Sequence, residues 1–169
     1  EIKRTCEAAE IQPGEDIYVR ITITRGTGPI DLNPNKAMDT SYVILVKDVP
    51  KWSQHLYDEG VRLAVPAIRR NSVHCLEPNI KGGNYLNNVL AVGEAIQLGA
   101  DDALLCNLDG QITEASNSNI LFVMDKMVIT PDIASGNLNG TTKNTIMRVC
   151  GENEIRFDHR PLKLDEITE

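Results

Sequence analysis

Aromatic residues are scarce, with one Trp, four Tyr and two Phe making 4% of 169 residues. Any core must therefore rest on aliphatic side chains. Positive charge is also short: 17 Lys+Arg face 24 Asp+Glu, for a net charge of −7. No basic cluster stands out, which argues against a nucleic-acid partner, because phosphate neutralisation needs a basic face. No apolar run approaches the ~20 residues that span a bilayer. No secretory leader is visible, and the chain opens on Glu1 rather than Met, so it is expected to be processed or a piece of a longer protein. Cys6, Cys75, Cys106 and Cys150 lie far apart, without a C-x-x-C pair. His55, His74 and His159 are equally scattered, without an H-x-x-x-H or H-x-E pattern. Close spacing marks zinc sites and small disulfide frameworks. The expectation is a cytoplasmic protein with reduced, mostly buried thiols and no metal.

Apolar residues at 41% and charged residues at 24% suit a globular core. The length allows one domain, or one domain plus part of another. Residues 1–11 read as the end of a helix, closed by a Pro13-Gly14 turn. Residues 17–25 alternate, with Ile17, Val19, Ile21 and Ile23 on one face and Tyr18, Arg20, Thr22 and Thr24 on the other, as in a half-buried strand. Residues 26–39 read as a loop and 41–47 as a buried strand. Asp48-Val49-Pro50 could link two parts. A helix over 51–59 ending at Gly60 and a strand over 61–68 follow. From Asn84 to Leu98, one helical stripe carries Leu86, Val89, Leu90, Gly93 and Ile96, with Gly99 as the C-terminal stop. A strand over 103–106 runs into an Asp109-Gly110 turn. Strands over 119–124 and 127–130 flank an Asp125-Lys126 turn, before a helix over 141–150 and a strand over 154–158. Interleaved strands and helices predict an α/β or α+β class.

Three segments could carry chemistry. In Ile80-Lys81-Gly82-Gly83-Asn84-Tyr85, a lysine beside two glycines and ahead of a helix has an unencumbered approach, although a solvated loop lysine reads the same way. In Gly136-Asn137-Leu138-Asn139-Gly140-Thr141-Thr142-Lys143, a helix start offers free N–H groups and hydroxyls to an anion; simple capping by Thr141 explains it equally. In Ile112-Thr113-Glu114-Ala115-Ser116-Asn117-Ser118-Asn119, Glu114 follows a turn and precedes a strand. It is either a surface carboxylate or a buried acid reading a ring nitrogen.

Taken together, IKGGNYLNNVLAVGEA, GADDALLCNLDGQITEASNSNILFV and TPDIASGNLNGTTKNTI resemble the fold-type IV pyridoxal-phosphate enzymes, the class IV aminotransferases. Among these they are most similar to branched-chain-amino-acid aminotransferases. The likeness runs over nearly the whole chain, in order and with matching gaps. It implies a D-amino-acid-aminotransferase-like fold of two domains. Residues 1–48 would form the C-terminal part of a small, here incomplete, N-terminal domain. Residues 49–169 would form a large cofactor-binding domain lacking its usual last stretch. The resemblance also implies pyridoxal 5′-phosphate as cofactor, amino-acid and 2-oxo-acid substrates, and a homodimer or higher homo-oligomer with no nucleic-acid or membrane partner. The arginine that typically grips the cofactor phosphate in the family has no counterpart in these residues.

Residue by residue, Lys81 matches the family's Schiff-base lysine, which also shuttles a proton and needs a lowered pKa for that role. Glu114 matches the acid paired with the pyridine nitrogen. Tyr85 matches the residue whose hydroxyl meets the cofactor's phenolic oxygen, though some members place one more residue between it and the lysine. Leu138 matches an apolar residue against the ring face, and Gly140, Thr141 and Thr142 match the phosphate cup. Lys143 stands where the family usually has Arg, which puts a neighbouring salt bridge in doubt. Ser116, Ser118 and Asn119 line the stretch beyond Glu114. Tyr18 and Arg20 match a Tyr-x-Arg pair that meets substrate carboxylates. Ile30 and Leu32 occupy places where the D-amino-acid branch has Arg and His, which favours an L-substrate. The implied reaction moves an amino group from an L-branched-chain amino acid to 2-oxoglutarate. The alternatives are an aminodeoxychorismate lyase on the same fold and a non-catalytic remnant.

Overall fold

The computed structural model describes residues 1–12 and 14–167. Pro13 of the expected turn lies outside them, while Gly14 holds φ +91°. Packing separates Glu1–Tyr57 from Asp58–Glu169. The first unit carries α1 (Ile2–Ala8), β1 (Ile17–Thr27) and β2 (Asp39–Asp48), and α2 (Gln54–Asp58) crosses into the second. β1 and β2 pair antiparallel from Ile17↔Asp48 to Thr24↔Ser41, and the register shifts before Thr27↔Asp39. That irregularity requires Gly26. Its φ is +95°, and a Cβ there would lie 1.5 Å from Asp39 O.

The apolar faces of this ribbon are less covered than their pattern predicts. Ile17 and Val19 are half-buried, but Ile21 and Ile23 are exposed. The strand expected over 41–47 forms but is not buried: Tyr42, Val43 and Leu45 are exposed, and Ile44 and Val46 are half-buried. Two strands with one short helix against β2 cannot cover both faces.

The second unit holds two three-stranded sheets. In one, β3 (Leu63–Ala64) runs parallel to β4 (Asp102–Cys106), which pairs antiparallel with β5 (Ile112–Ala115). In the other, β6 (Phe122–Met124) pairs antiparallel with β7 (Met127–Thr130), which runs parallel to β8 (Arg156–His159). Each parallel pair needs a crossover, and α3 (Leu86–Gln97) and α4 (Thr141–Glu152) supply them. The β6–β7 turn places Asp125 and Lys126 at φ +48° and +59°, the two left-handed residues of a tight hairpin. The core is aliphatic. Leu104, Cys106, Ile112, Ile129 and Leu162 form one cluster, and Ala91, Ala95, Ala103 and Leu105 the other. The four cysteines are free, and only Cys106 and Cys150 are buried. Among the described residues no helix is long and apolar enough to cross a membrane.

Three local expectations change. The strand over 61–68 shrinks to Leu63–Ala64. Pro66 has no N–H to pair, and the amides of Ala67 and Ile68 donate to the Glu94 carboxylate at 2.7 and 3.4 Å instead. Glu114 lies inside β5 rather than ahead of a strand. On α3 the stripe of Leu86, Val89, Leu90, Gly93 and Ile96 faces outward, and the buried positions are Asn88, Ala91 and Ala95. Two alanines four residues apart let the helix lie close on β4, where larger side chains would hold it off. Gly99 follows the helix at φ +80°, as a stop residue should.

Candidate active site

An open cleft of about 610 Å³ lies in the second unit. The loop before α3 contributes Lys81 and Tyr85 to its wall, β5 and the turn after it contribute Glu114, Ser116, Ser118 and Asn119, and the segment into α4 contributes Leu138 through Lys143. All of these were singled out in the sequence, and the fold brings them together. Tyr18 and Arg20 belong to the first unit, exposed on one face of β1, with Lys47 Nζ 5.2 Å from the Tyr18 ring centroid.

Glu114 is the best-held group in the cleft, at 6% exposure. Its Oε1 lies 2.9 Å from Arg70 Nη2. Its Oε2 accepts from the Leu138 amide at 3.0 Å and from Asn119 Nδ2 at 3.4 Å. Three donors therefore use three of the roughly four acceptor positions of an ionised carboxylate. Asn119 Nδ2 also donates to Leu138 O at 2.8 Å, so one amide ties β5's exit to the turn before α4.

Arg70 is the residue that sequence reasoning missed. It lies in an irregular stretch between β3 and α3, where no periodicity marks it. Its backbone N–H donates to Cys106 O at 2.8 Å, and its Nη1 donates to Asn88 Oδ1 at 3.2 Å. Asn88 in turn donates to Ser116 O. Arg70 Nε is buried and makes no hydrogen bond.

Glycines shape the two ends of the cleft. Gly82 and Gly83 would carry a Cβ without a close contact, so the approach to the exposed Lys81 is open. A Cβ on Gly140 would fall 2.0 Å from Asn119 Oδ1, so any larger residue there must displace that side chain. Gly140 is the N-cap of α4 and makes no side-chain cap bond. Thr141 is thus the first helical residue and not the cap. Thr141 and Thr142 line the cleft at the start of the helix, where the free first-turn amides and the dipole favour an anion. We expect Gly140→Ala to displace the Asn119 side chain, break its bonds to Leu138 and Glu114, and cost about 1–3 kcal/mol. Urea unfolding of the variant checks this; an unchanged midpoint would show that the close approach relaxes freely.

Lys143 is 4% exposed, and its Nζ donates to Asn137 Oδ1 at 3.3 Å. It makes no direct ion pair among the described residues. Burial lowers its pKa, while the negative charges of Glu114 and Asp132 act in the opposite sense.

A family model for class IV amino-transferases matches residues 1–169. A branched-chain-amino-acid aminotransferase of Pseudomonas aeruginosa is 30% identical over 121 residues, 69% of this chain and 39% of its own length. A relative from Methanocaldococcus jannaschii is 30% identical over 161 residues, 95% of this chain and 55% of its own. The crystal structure of a T.th. branched-chain amino acid aminotransferase with pyridoxamine 5′-phosphate superposes with a TM-score of 0.85 at 25% identity, covering 98% of this chain and 53% of that one. The Thermoproteus uzoniensis branched-chain aminotransferase with norvaline superposes at 0.84 and 29% identity, over 97% and 55%. The chain spans about half the length of most of these relatives.

Proposed function

We propose, since this chain belongs to the class IV aminotransferase family, that the whole protein transfers an amino group from an L-branched-chain amino acid to 2-oxoglutarate. Pyridoxal 5′-phosphate would sit in the cleft of the second unit. The observation that carries this reading is a buried Glu114, fixed by three donors, in the same cleft as an exposed lysine and the uncapped start of a helix. These residues fit the cofactor's chemistry: an acid for a ring nitrogen, an amine for a carbonyl carbon, and amide N–H groups for a phosphate.

When bound, the cofactor supplies the carbonyl that takes up the amino group and the ring that draws electrons from the substrate α-carbon. Glu114 would accept the ring N–H at its remaining acceptor position and so keep that nitrogen protonated. Lys81 Nζ would hold the cofactor, and as a free amine it would move the proton between the substrate α-carbon and the cofactor's C4′. Leu138 would pack on the ring face, the Tyr85 hydroxyl would meet the phenolic oxygen, and Asn119 and Ser118 would hold the Glu114 turn in place. Gly140, Thr141 and Thr142 would receive the phosphate. Tyr18 and Arg20 are assigned to the substrate carboxylate. A homo-oligomer is part of the same proposal.

The test is to supply the full-length protein with L-leucine and 2-oxoglutarate and assay glutamate. A parallel assay offers aminodeoxychorismate and follows pyruvate. Glutamate formation is expected; pyruvate release without glutamate would replace the transaminase reading with the lyase. Glu114→Gln should keep the cofactor bound and slow turnover by roughly 10²-fold or more, because a neutral amide cannot hold a pyridinium. Unchanged turnover at saturating substrate would remove Glu114 from that role.

A further inference from the structure

Lys81 reaches the cleft from a loop with little support of its own. Residues 77–83 lie outside the helices and strands, and Gly82 and Gly83 follow the lysine without a close neighbour. Within the loop, the Ile80 amide donates to Glu77 O at 3.1 Å and the Gly82 amide to Ile80 O at 2.7 Å. Among the described residues, one hydrogen bond ties this loop to a distant part of the chain. Asn79 Oδ1 accepts from the Asn139 amide at 3.1 Å, across sixty residues of sequence. Asn139 lies between Leu138, whose amide is held by Glu114, and Gly140 at the start of α4. One short turn therefore bonds both to the buried acid and to the loop of the lysine. The Asn79 carboxamide is oriented for its part. Its Nδ2 and its backbone N–H both donate to Glu77 Oε1 at 3.0 Å. Turned over, it would set an oxygen against a carboxylate and an NH₂ against an N–H, so Glu77 keeps Oδ1 toward Asn139. Ile80 and Lys81 line the cleft, while Asn79 just before them does not.

We propose that Asn79 is a positioning residue for Lys81: latched between Glu77 and the Asn139 amide, it holds the loop so that Lys81 Nζ meets a carbonyl carbon seated in the cleft. The inference rests on the proposed attachment of pyridoxal phosphate to Lys81. Asn79 is exposed, and a single exposed hydrogen bond adds little to global stability, so the effect of the latch is local. Without it the lysine keeps its chemistry but samples more positions, and the effective concentration of its amine falls. A ligand that forms no bond to Lys81 does not depend on the latch, because Leu138 stays held by Glu114 and Asn119.

The experiment offers two probes to the full-length protein. Pyridoxal 5′-phosphate can join the Lys81 amine through its carbonyl, with loss of water; it is followed by absorbance and by borohydride trapping mapped to Lys81. Pyridoxine 5′-phosphate has no carbonyl and is followed by calorimetry. Wild type is compared with Asn79→Ala and with the double variant Glu77→Gln, Asn79→Asp, which keeps an acceptor at position 79 without setting two carboxylates together. Asn79→Ala should bind pyridoxal phosphate about tenfold more weakly and pyridoxine phosphate within about threefold of wild type, with its urea midpoint near that of wild type. The double variant should stay within about threefold of wild type for both probes. An equal loss for both probes in Asn79→Ala would overturn the proposal, since Asn79 would then support the cleft as a whole. So would wild-type affinity for pyridoxal phosphate in Asn79→Ala, or a double variant as weak as Asn79→Ala. Glutamate assays on the same preparations separate the two readings. Turnover with attachment that ignores Asn79 removes the Asn79 role alone. Attachment that depends on Asn79, without turnover, removes the transaminase alone. Wild type without a Lys81 adduct removes both.

Discussion

In the full-length protein, Lys81→Ala should lower amino-group transfer by roughly 10⁴-fold or more and abolish covalent attachment of pyridoxal phosphate. The size follows from the double duty assigned to one amine. The same Nζ holds the carbonyl carbon and then moves the α-proton, and each duty alone is worth orders of magnitude. Lys143, the other lysine of the cleft, cannot take over, because it is 4% exposed and anchored on Asn137. Lys81 by contrast is exposed between an isoleucine and two glycines that place no Cβ near another atom. The check is borohydride reduction with pyridoxal phosphate, followed by peptide mapping, beside the glutamate assay. A reduced, cofactor-labelled lysine elsewhere in Lys81→Ala would move the attachment point and with it the reading of the loop.

Much of this cleft is marked by local signals in the sequence. A lysine beside paired glycines, a Gly-Thr-Thr helix start and an acid among small polar residues are all short-range features; the first two lie on a loop and at a helix start, and the acid lies inside β5. The turns were legible for the same reason, since Gly99 and Gly110 adopt the left-handed conformations their type suggests, and the Asp125-Lys126 pair marks a tight turn. What sequence could not supply was long-range pairing. Arg70 sits in an irregular segment, and its partner Glu114 arrives from a strand far along the chain. Burial was misjudged where size and position disagree. On α3 the large aliphatics look outward while Ala91 and Ala95 form the contact face. On β2 a run of apolar residues has only the short helix α1 against it in its own unit. Lys143 shows the converse, because a lysine in a polar-looking helix start is one of the least exposed residues of α4.

Arg70→Met should destabilise the protein by about 3–5 kcal/mol, because it leaves a carboxylate buried without its cation. Solvent screening offers little relief, since the two side chains are only 14% and 8% exposed. The loss is a large share of the ~5–15 kcal/mol that holds a typical protein folded. Part of it comes from Asn88, which loses the donor at its Oδ1 while still tied to Ser116 O. Lysine should not rescue the site, because one ammonium cannot reach Glu114 and Asn88 in the fork geometry of a guanidinium. A double-mutant cycle isolates the ion pair. Arg70→Met in the Glu114→Gln background removes a cation whose partner is already neutral, so it should cost clearly less than in wild type. The measurement is urea unfolding of the four proteins, with pyridoxal phosphate affinity read in parallel. An Arg70→Met cost within about 1 kcal/mol of zero, the range of exposed ion pairs, would mean that Leu138 and Asn119 alone suffice to hold Glu114.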